Sequence, residues 1–182
     1  MAKKSKHYLD HLWYVIGGIL VKGKIVALLL VIICFCPFAK LDAFAGPVGH
    51  LTAAQLKLAG ISATDTKAFV ENVYGKPAKV FRQGLVYIYG DSLRVKFFDQ
   101  KANSQIWDIK IIADNGLATA DGVKVGMKID VMKQKYGEPD RLKKGTKGTV
   151  YTYHGAGKEA LKSLSFYVRD GIIRSIALHW AD

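Results

Sequence analysis

Hydrophobic residues fall at three- and four-residue spacings in two short stretches of the chain and at alternate positions in several others. Phe69, Val70, Val73 and Tyr74 share one helical face, as do Ile129, Met132 and Tyr136. Each stretch runs into Tyr-Gly-x-Pro, so Gly75 and Gly137 are predicted to end a helix at positive φ, and Pro77 and Pro139 forbid its continuation. Thr64, Asp65 or Thr66 can cap the first helix. The second has no evident cap, and Asp130 in its first turn favours the helix dipole instead. Strand patterns follow each helix. Leu93, Val95 and Phe97 alternate with Arg94, Lys96 and Phe98, and Leu164, Phe166 and Val168 alternate with Ser165, Tyr167 and Arg169. Asp170-Gly171 predicts a tight hairpin turn into a last strand, Ile172 to Trp180. There Ile176, Leu178 and Trp180 share one face, and Ser175, Ala177 and His179 the other. Gln105 to Ile111 closes the first set of strands in the same way.

These stretches match one another. Tyr74-Gly75-Lys76-Pro77 recurs as Tyr136-Gly137-Glu138-Pro139, the segment Gly84 to Tyr89 recurs as Gly148 to Tyr153, and Leu93 to Asp99 recurs as Leu164 to Asp170. The offset grows along the chain, which places insertions in two loops of the second copy, RLKKGTKG and AGKEALK. The expected architecture is α+β. Two tandem repeats, 46–112 and 113–182, would each carry one or two short helices on a roughly three-stranded antiparallel sheet, joined through residues 113–122. Lobes this small bury little core and are expected to pack on each other.

Residues 1–45 have a different character. Lys3, Lys4, Lys6, Lys22 and Lys24 precede the uncharged run Ile25 to Ala39, and Ala43-Phe44-Ala45 follows. A basic start, an apolar middle and an A-x-A site describe a secretory signal peptide, with cleavage expected after Ala45. A second apolar stretch, Leu12 to Val21, leaves an uncleaved membrane anchor over residues 12–39 as the alternative. Either reading puts the folded part outside the cytoplasm, secreted or in the cell envelope. The composition fits a folded chain: half of the 182 residues are hydrophobic and 11% aromatic. The 27 Lys and Arg outweigh the 15 Asp and Glu, a net charge of +12. Both cysteines, Cys34 and Cys36, lie in the N-terminal apolar run, so no disulfide framework or thiolate metal site can form beyond it.

The segment Gly122-Val123-Lys124-Val125-Gly126-Met127, continuing to Tyr136-Gly137-Glu138-Pro139, resembles the opening motif of the BamE-like (SmpA/OmlA) superfamily. An aromatic strand, here Val150 to Tyr153, and a closing hairpin, here Val168 to Ile176, follow in that group too. The tandem arrangement is similar to the beta-lactamase inhibitor protein and to secreted YjgB-type proteins of Gram-positive bacteria. The resemblance covers about residues 61–180 and implies a binding role, in envelope assembly or of inhibitor type. The chain departs from it in lacking a lipidated cysteine and the inhibitor's cysteine pairs, and in having Thr64-Asp65 where the first repeat should carry Gly-Met.

Beyond residue 45 no phosphate loop, nucleophile elbow or dinucleotide fingerprint occurs. His50, His154 and His179 are scattered, and no cofactor, metal or catalytic set is expected. The expected function is therefore that of an exported, non-enzymatic protein binding a protein partner of the bacterial envelope through its sheet surface. Tyr87, Tyr89, Trp107, Tyr151 and Tyr153 are the expected apolar anchors, some of the tyrosines being placed on the sheet face away from the helices. Arg141, Lys143 and Lys144 are expected to steer the partner. Association with anionic lipid or wall polymer through this basic loop is the alternative, and nucleic acid is not an expected partner. A hydrolase using His154 with Asp99 or Asp170 is a third reading, which needs those side chains within hydrogen-bonding reach.

Overall fold

The computed structural model describes residues 49–180. The expected signal or anchor segment lies outside the described residues. Among the described residues, no helix is long and apolar enough to cross a membrane.

The helices form where the spacing predicts them. Helix α1 spans Lys67–Tyr74, and Thr66 caps it, its Oγ1 accepting from the Phe69 N–H at 3.2 Å. Helix α2 spans Ile129–Tyr136 behind Lys128, with no side-chain cap and with Asp130 in its first turn. Gly75 and Gly137 end them at φ of 74° and 72°, where an L side chain would be strained.

The strands differ from the expectation. There are not two tandem α+β repeats with about three strands each, but a single eight-stranded antiparallel sheet carrying only these two short helices. Its strands are β1 Lys79–Phe81, β2 Val86–Tyr89, β3 Leu93–Phe97, β4 Ile106–Ile111, β5 Arg141–Gly145, β6 Gly148–His154, β7 Lys162–Arg169 and β8 Ile172–Trp180. They lie in the order β1-β2-β3-β4-β8-β7-β6-β5. The two halves are joined by β4 and β8, whose free edges pair with each other instead of facing solvent. Ile109 lies opposite Leu178 and Ile111 opposite Ile176, all four fully buried, so the junction is as apolar as the core it crosses. The predicted RLKKGTKG loop is mostly strand β5 with its turn into β6.

Pairing fixes which residues share a face, since directly opposed residues point to the same side. Tyr87, Val95, Ile109, Leu178, Leu164 and Tyr153 form one row across the sheet. Tyr89, Leu93, Ile111, Ile176, Phe166 and Tyr151 form the next. Val70 of α1 and Met132 and Tyr136 of α2 pack on this face, as do Leu51, Leu56, Leu58 and Ile61 from the segment before α1. Neither helix packs on the opposite face.

Candidate functional site

The tyrosines sit under the helices. Tyr89 Oη donates to the Gly75 carbonyl at 3.3 Å, and Tyr153 Oη donates to the Gly137 carbonyl at 3.1 Å. At both helix ends, then, a strand tyrosine takes up a carbonyl that the helix leaves unpaired. Tyr87 donates to Glu71 Oε1 at 2.7 Å, and its ring lies 4.8 Å below Lys67 Nζ. Tyr153 is wholly buried, against Tyr136 and Phe166. Burial pushes the hydroxyls of Tyr87, Tyr89 and Tyr136 up to about 12, and that of Tyr153 higher still. Tyr87, Tyr89 and Tyr153 are thus core residues on the helix-bearing face with almost no surface to offer a partner, which corrects their expected role as exposed anchors; the tyrosine that does face away from the helices is Tyr167, opposite Val150 and Ser175. Alternation alone could not decide this, because Val86, Ile88 and Val150 make the other face of the same strands apolar too. Tyr151 points to the helix side as well but is only half-buried, beside a cavity near the start of α2.

The remaining predicted residues do lie at the surface. Arg141, Lys143 and Lys144 are exposed on the edge strand β5. Arg141 and Lys143 point to the open face, and Lys144, one position on, to the other. Trp107 is half-buried in β4 and packs edge-on against the exposed Phe98, with centroids 4.8 Å apart. Trp180 stands 6.1 Å from the same Phe98 ring, and its indole N–H donates to the Ile106 carbonyl. Lys96 Nζ lies 5.6 Å from the Trp107 ring centre. Trp107 and the β5 cations stand several strands apart in the sheet, so the structure does not gather the predicted residues into one cluster.

Sequence reasoning missed the row that runs across the open face. Val86, Lys96, Asp108, His179, Ser163 and His154 lie opposite one another through six strands. Next to it run Ile88, Arg94, Lys110, Ala177, Ser165, Thr152 and Arg141. Six cations from these and the flanking rows (Lys79, Arg94, Lys96, Lys110, Arg141 and Lys143) therefore share a face on which Asp108 is the carboxylate of the paired rows. The alternation of Arg94 with Lys96 and of Asp108 with Lys110 held the signal, but only strand order shows that they adjoin. A hollow of about 550 Å³, lined by Phe81, Val86, Ile88, Arg94, Lys96 and Asp108, opens on this face.

Ser163 Oγ lies 3.0 Å from His179 Nε2, and Asp108 flanks the same ring from β4. Ser163 is buried, so the arrangement holds the imidazole in place. The hydrolase set read from the sequence is not assembled. Asp99 Oδ1 accepts from the Lys101 N–H in its turn, Asp170 pairs with Arg169, and Asp140 Oδ2 accepts from the backbone N–H of His154. Among the described residues, no group of three or more His, Cys, Asp or Glu could hold a metal ion.

Burial raises the Asp108 carboxyl above its ordinary value, although His179, Lys110, Lys96 and Arg94 all pull it down. A carboxyl raised on folding contributes stability below its unfolded value, and that contribution is lost as pH rises through the folded one. Asp108→Asn is therefore expected to be more stable than the native chain at pH 7. The difference should vanish near pH 3, as urea melts at the two pH values would show.

No protein-family model matches the chain, and no curated protein matches it. The BamE-like resemblance thus finds no support among family models. Among solved structures the chain is distantly similar to a DUF4309 family protein (YjgB) from Bacillus subtilis subsp. subtilis str. 168. The two are 16% identical with a TM-score of 0.42, and the match covers 66% of this chain and 82% of that one.

Proposed function

We propose that this chain is an exported, non-catalytic binding protein of the bacterial cell envelope that engages an acidic protein surface through the open face of its sheet. The observation that carries this reading is the uncovered face itself, with six cations and, beside Lys96, the Trp107 ring packed on the exposed Phe98. Aromatic rings next to cations form a surface on which a few residues can supply most of the binding energy. Spread positive charge also speeds encounter with an acidic partner.

A photo-cross-linking residue at position 107 or 110 of the full-length chain in a bacterial host is expected to give a discrete protein adduct. The same residue at Lys135, exposed on α2, should give none. Lys96→Glu combined with Lys110→Glu should lower the adduct yield from position 107 about tenfold, because reversed charges repel the partner they steered. Adducts from position 135 alone, or none from 107 and 110, would count against the proposal.

A second reading is favoured by the β5–β6 hairpin, where Arg141, Lys143, Lys144 and Lys147 are all exposed. Attraction of anionic lipid or wall polymer there predicts co-sedimentation with phosphatidylglycerol vesicles. Binding should fall steeply with salt and disappear when the four residues are neutralised.

A further inference from the structure

The two halves of the sheet treat one place differently. At the start of α1, Lys67 is buried and its Nζ donates to the carbonyls of Gly84 and Gln100, each at 3.2 Å. The same ammonium stands over two rings, 4.8 Å from the centre of Tyr87 and 5.8 Å from that of Phe97. The β3–β4 loop closes over it, with the Lys67 N–H donating to the Ser104 carbonyl and the Ala68 N–H to the Ala102 carbonyl.

In the second half the corresponding first residue of α2 is Ile129, which has no ammonium to place. Its N–H donates to the Gly171 carbonyl at 2.9 Å, and the bridges Thr66–Gln105 and Lys128–Ile172 show that Gly171 stands where Ser104 does. Here β7 and β8 are joined by Asp170-Gly171 alone, so nothing takes the place of Gln100 to Asn103. A cavity of about 630 Å³ opens at that point. Its walls include Ile129, Gly148, Tyr151, Val168 and Asp170, which match Lys67, Gly84, Tyr87, Phe97 and Asp99 of the filled seat.

We propose that this cavity is a binding site for a primary alkylammonium, such as the side chain of a lysine carried on a peptide. Tyr151 supplies the ring face, as Tyr87 does for Lys67, and a cation over a tyrosine face gains most where water is excluded. Ile129 and Val168 give apolar walls for the methylene stem. Lys147 and Arg169 stand at the rim, Arg169 held against Asp170 at 3.3 Å. They favour a ligand with a carboxylate at the far end of its methylene stem and disfavour one with a second cation there. This site lies on the helix-bearing side of the sheet and is independent of the open face.

The test is titration of the full-length protein with 6-aminohexanoate and n-hexylammonium, with hexanoate and N-acetylated 6-aminohexanoate as controls, followed by shifts of the Tyr151 ring resonances. Both ammonium probes should bind, 6-aminohexanoate more tightly, and both controls should fail. Ile129→Lys should fill the seat from within and abolish binding while the backbone spectrum is retained. Tyr151→Leu should weaken binding about tenfold, and Tyr151→Phe, which keeps the ring, should not. Binding of hexanoate equal to that of the ammonium probes, binding of none, or undiminished binding by Ile129→Lys would each overturn the proposal.

Discussion

Tyr153→Ala is expected to cost about 3–5 kcal/mol of stability, the range for deleting a large buried aromatic side chain. The ring is fully buried against Tyr136 at 5.4 Å and Phe166 at 5.9 Å, with His50 edge-on at 5.9 Å. None of these neighbours can fill the space without leaving its own site. Tyr153→Phe keeps the ring and removes only the hydrogen bond to the Gly137 carbonyl, so it should cost about 1 kcal/mol, the net worth of such a bond. Urea unfolding of the two variants separates packing from hydrogen bonding. If Tyr153→Ala lost less than about 1 kcal/mol, the residue could not occupy the core between α2 and the sheet.

That comparison also shows what the sequence carried and what it did not. Helix limits were legible, because apolar spacing, a Thr66 cap and the Tyr-Gly-x-Pro exits are all local signals. So was the identity of the core strands, whose alternate residues Leu93, Val95, Phe97, Leu164, Phe166 and Val168 are buried. The edge strands were not. Lys79–Phe81 and Arg141–Gly145 are exposed throughout, so no burial pattern marks them. Nor could local pattern show that β4 and β8 pair, since that contact joins residues about 70 apart and depends on two edges finding each other. The candidate site suffered most from this. Its rows are built across strands, and residues of one row, such as Lys96, Asp108 and His179, lie far apart in the chain.

The segment before α1 left no recognisable motif, yet it supports the second largest expected effect. The chain enters the described structure by pairing with the end of β6. The Leu51 N–H donates to the His154 carbonyl at 3.0 Å, and the Ala156 N–H donates to the Leu51 carbonyl at 2.8 Å. His50 Nε2 lies 2.9 Å from the Tyr136 carbonyl, and the buried Leu51 side chain follows. Two glycines permit this approach. A Cβ on Gly49 would lie 2.1 Å from the Gly155 carbonyl oxygen, and one on Gly155 would lie 2.2 Å from the Glu159 carbonyl oxygen. Both obstacles are backbone atoms, which cannot move aside as a side-chain tip can. Gly49→Ala and Gly155→Ala are each expected to cost about 3 kcal/mol, the upper part of the range for overpacking.

The two costs should not arise in the same way. The clash at Gly49 is relieved if the entering segment lifts off β6, and that release also frees the Leu51 and Ala156 amides. The clash at Gly155 lies within the 155–159 turn and persists after release. Gly49→Ala should therefore speed hydrogen exchange at Leu51 and Ala156 while the amides of β7 and β8 stay protected. Gly155→Ala should weaken protection at the β6 end as well. In the double variant the loss should fall short of the sum, because a distorted turn already loosens the segment that Gly49 must fit. Additive losses would mean that the segment and the turn are held independently, and the pairing of Leu51 with Gly155 would then contribute nothing to either.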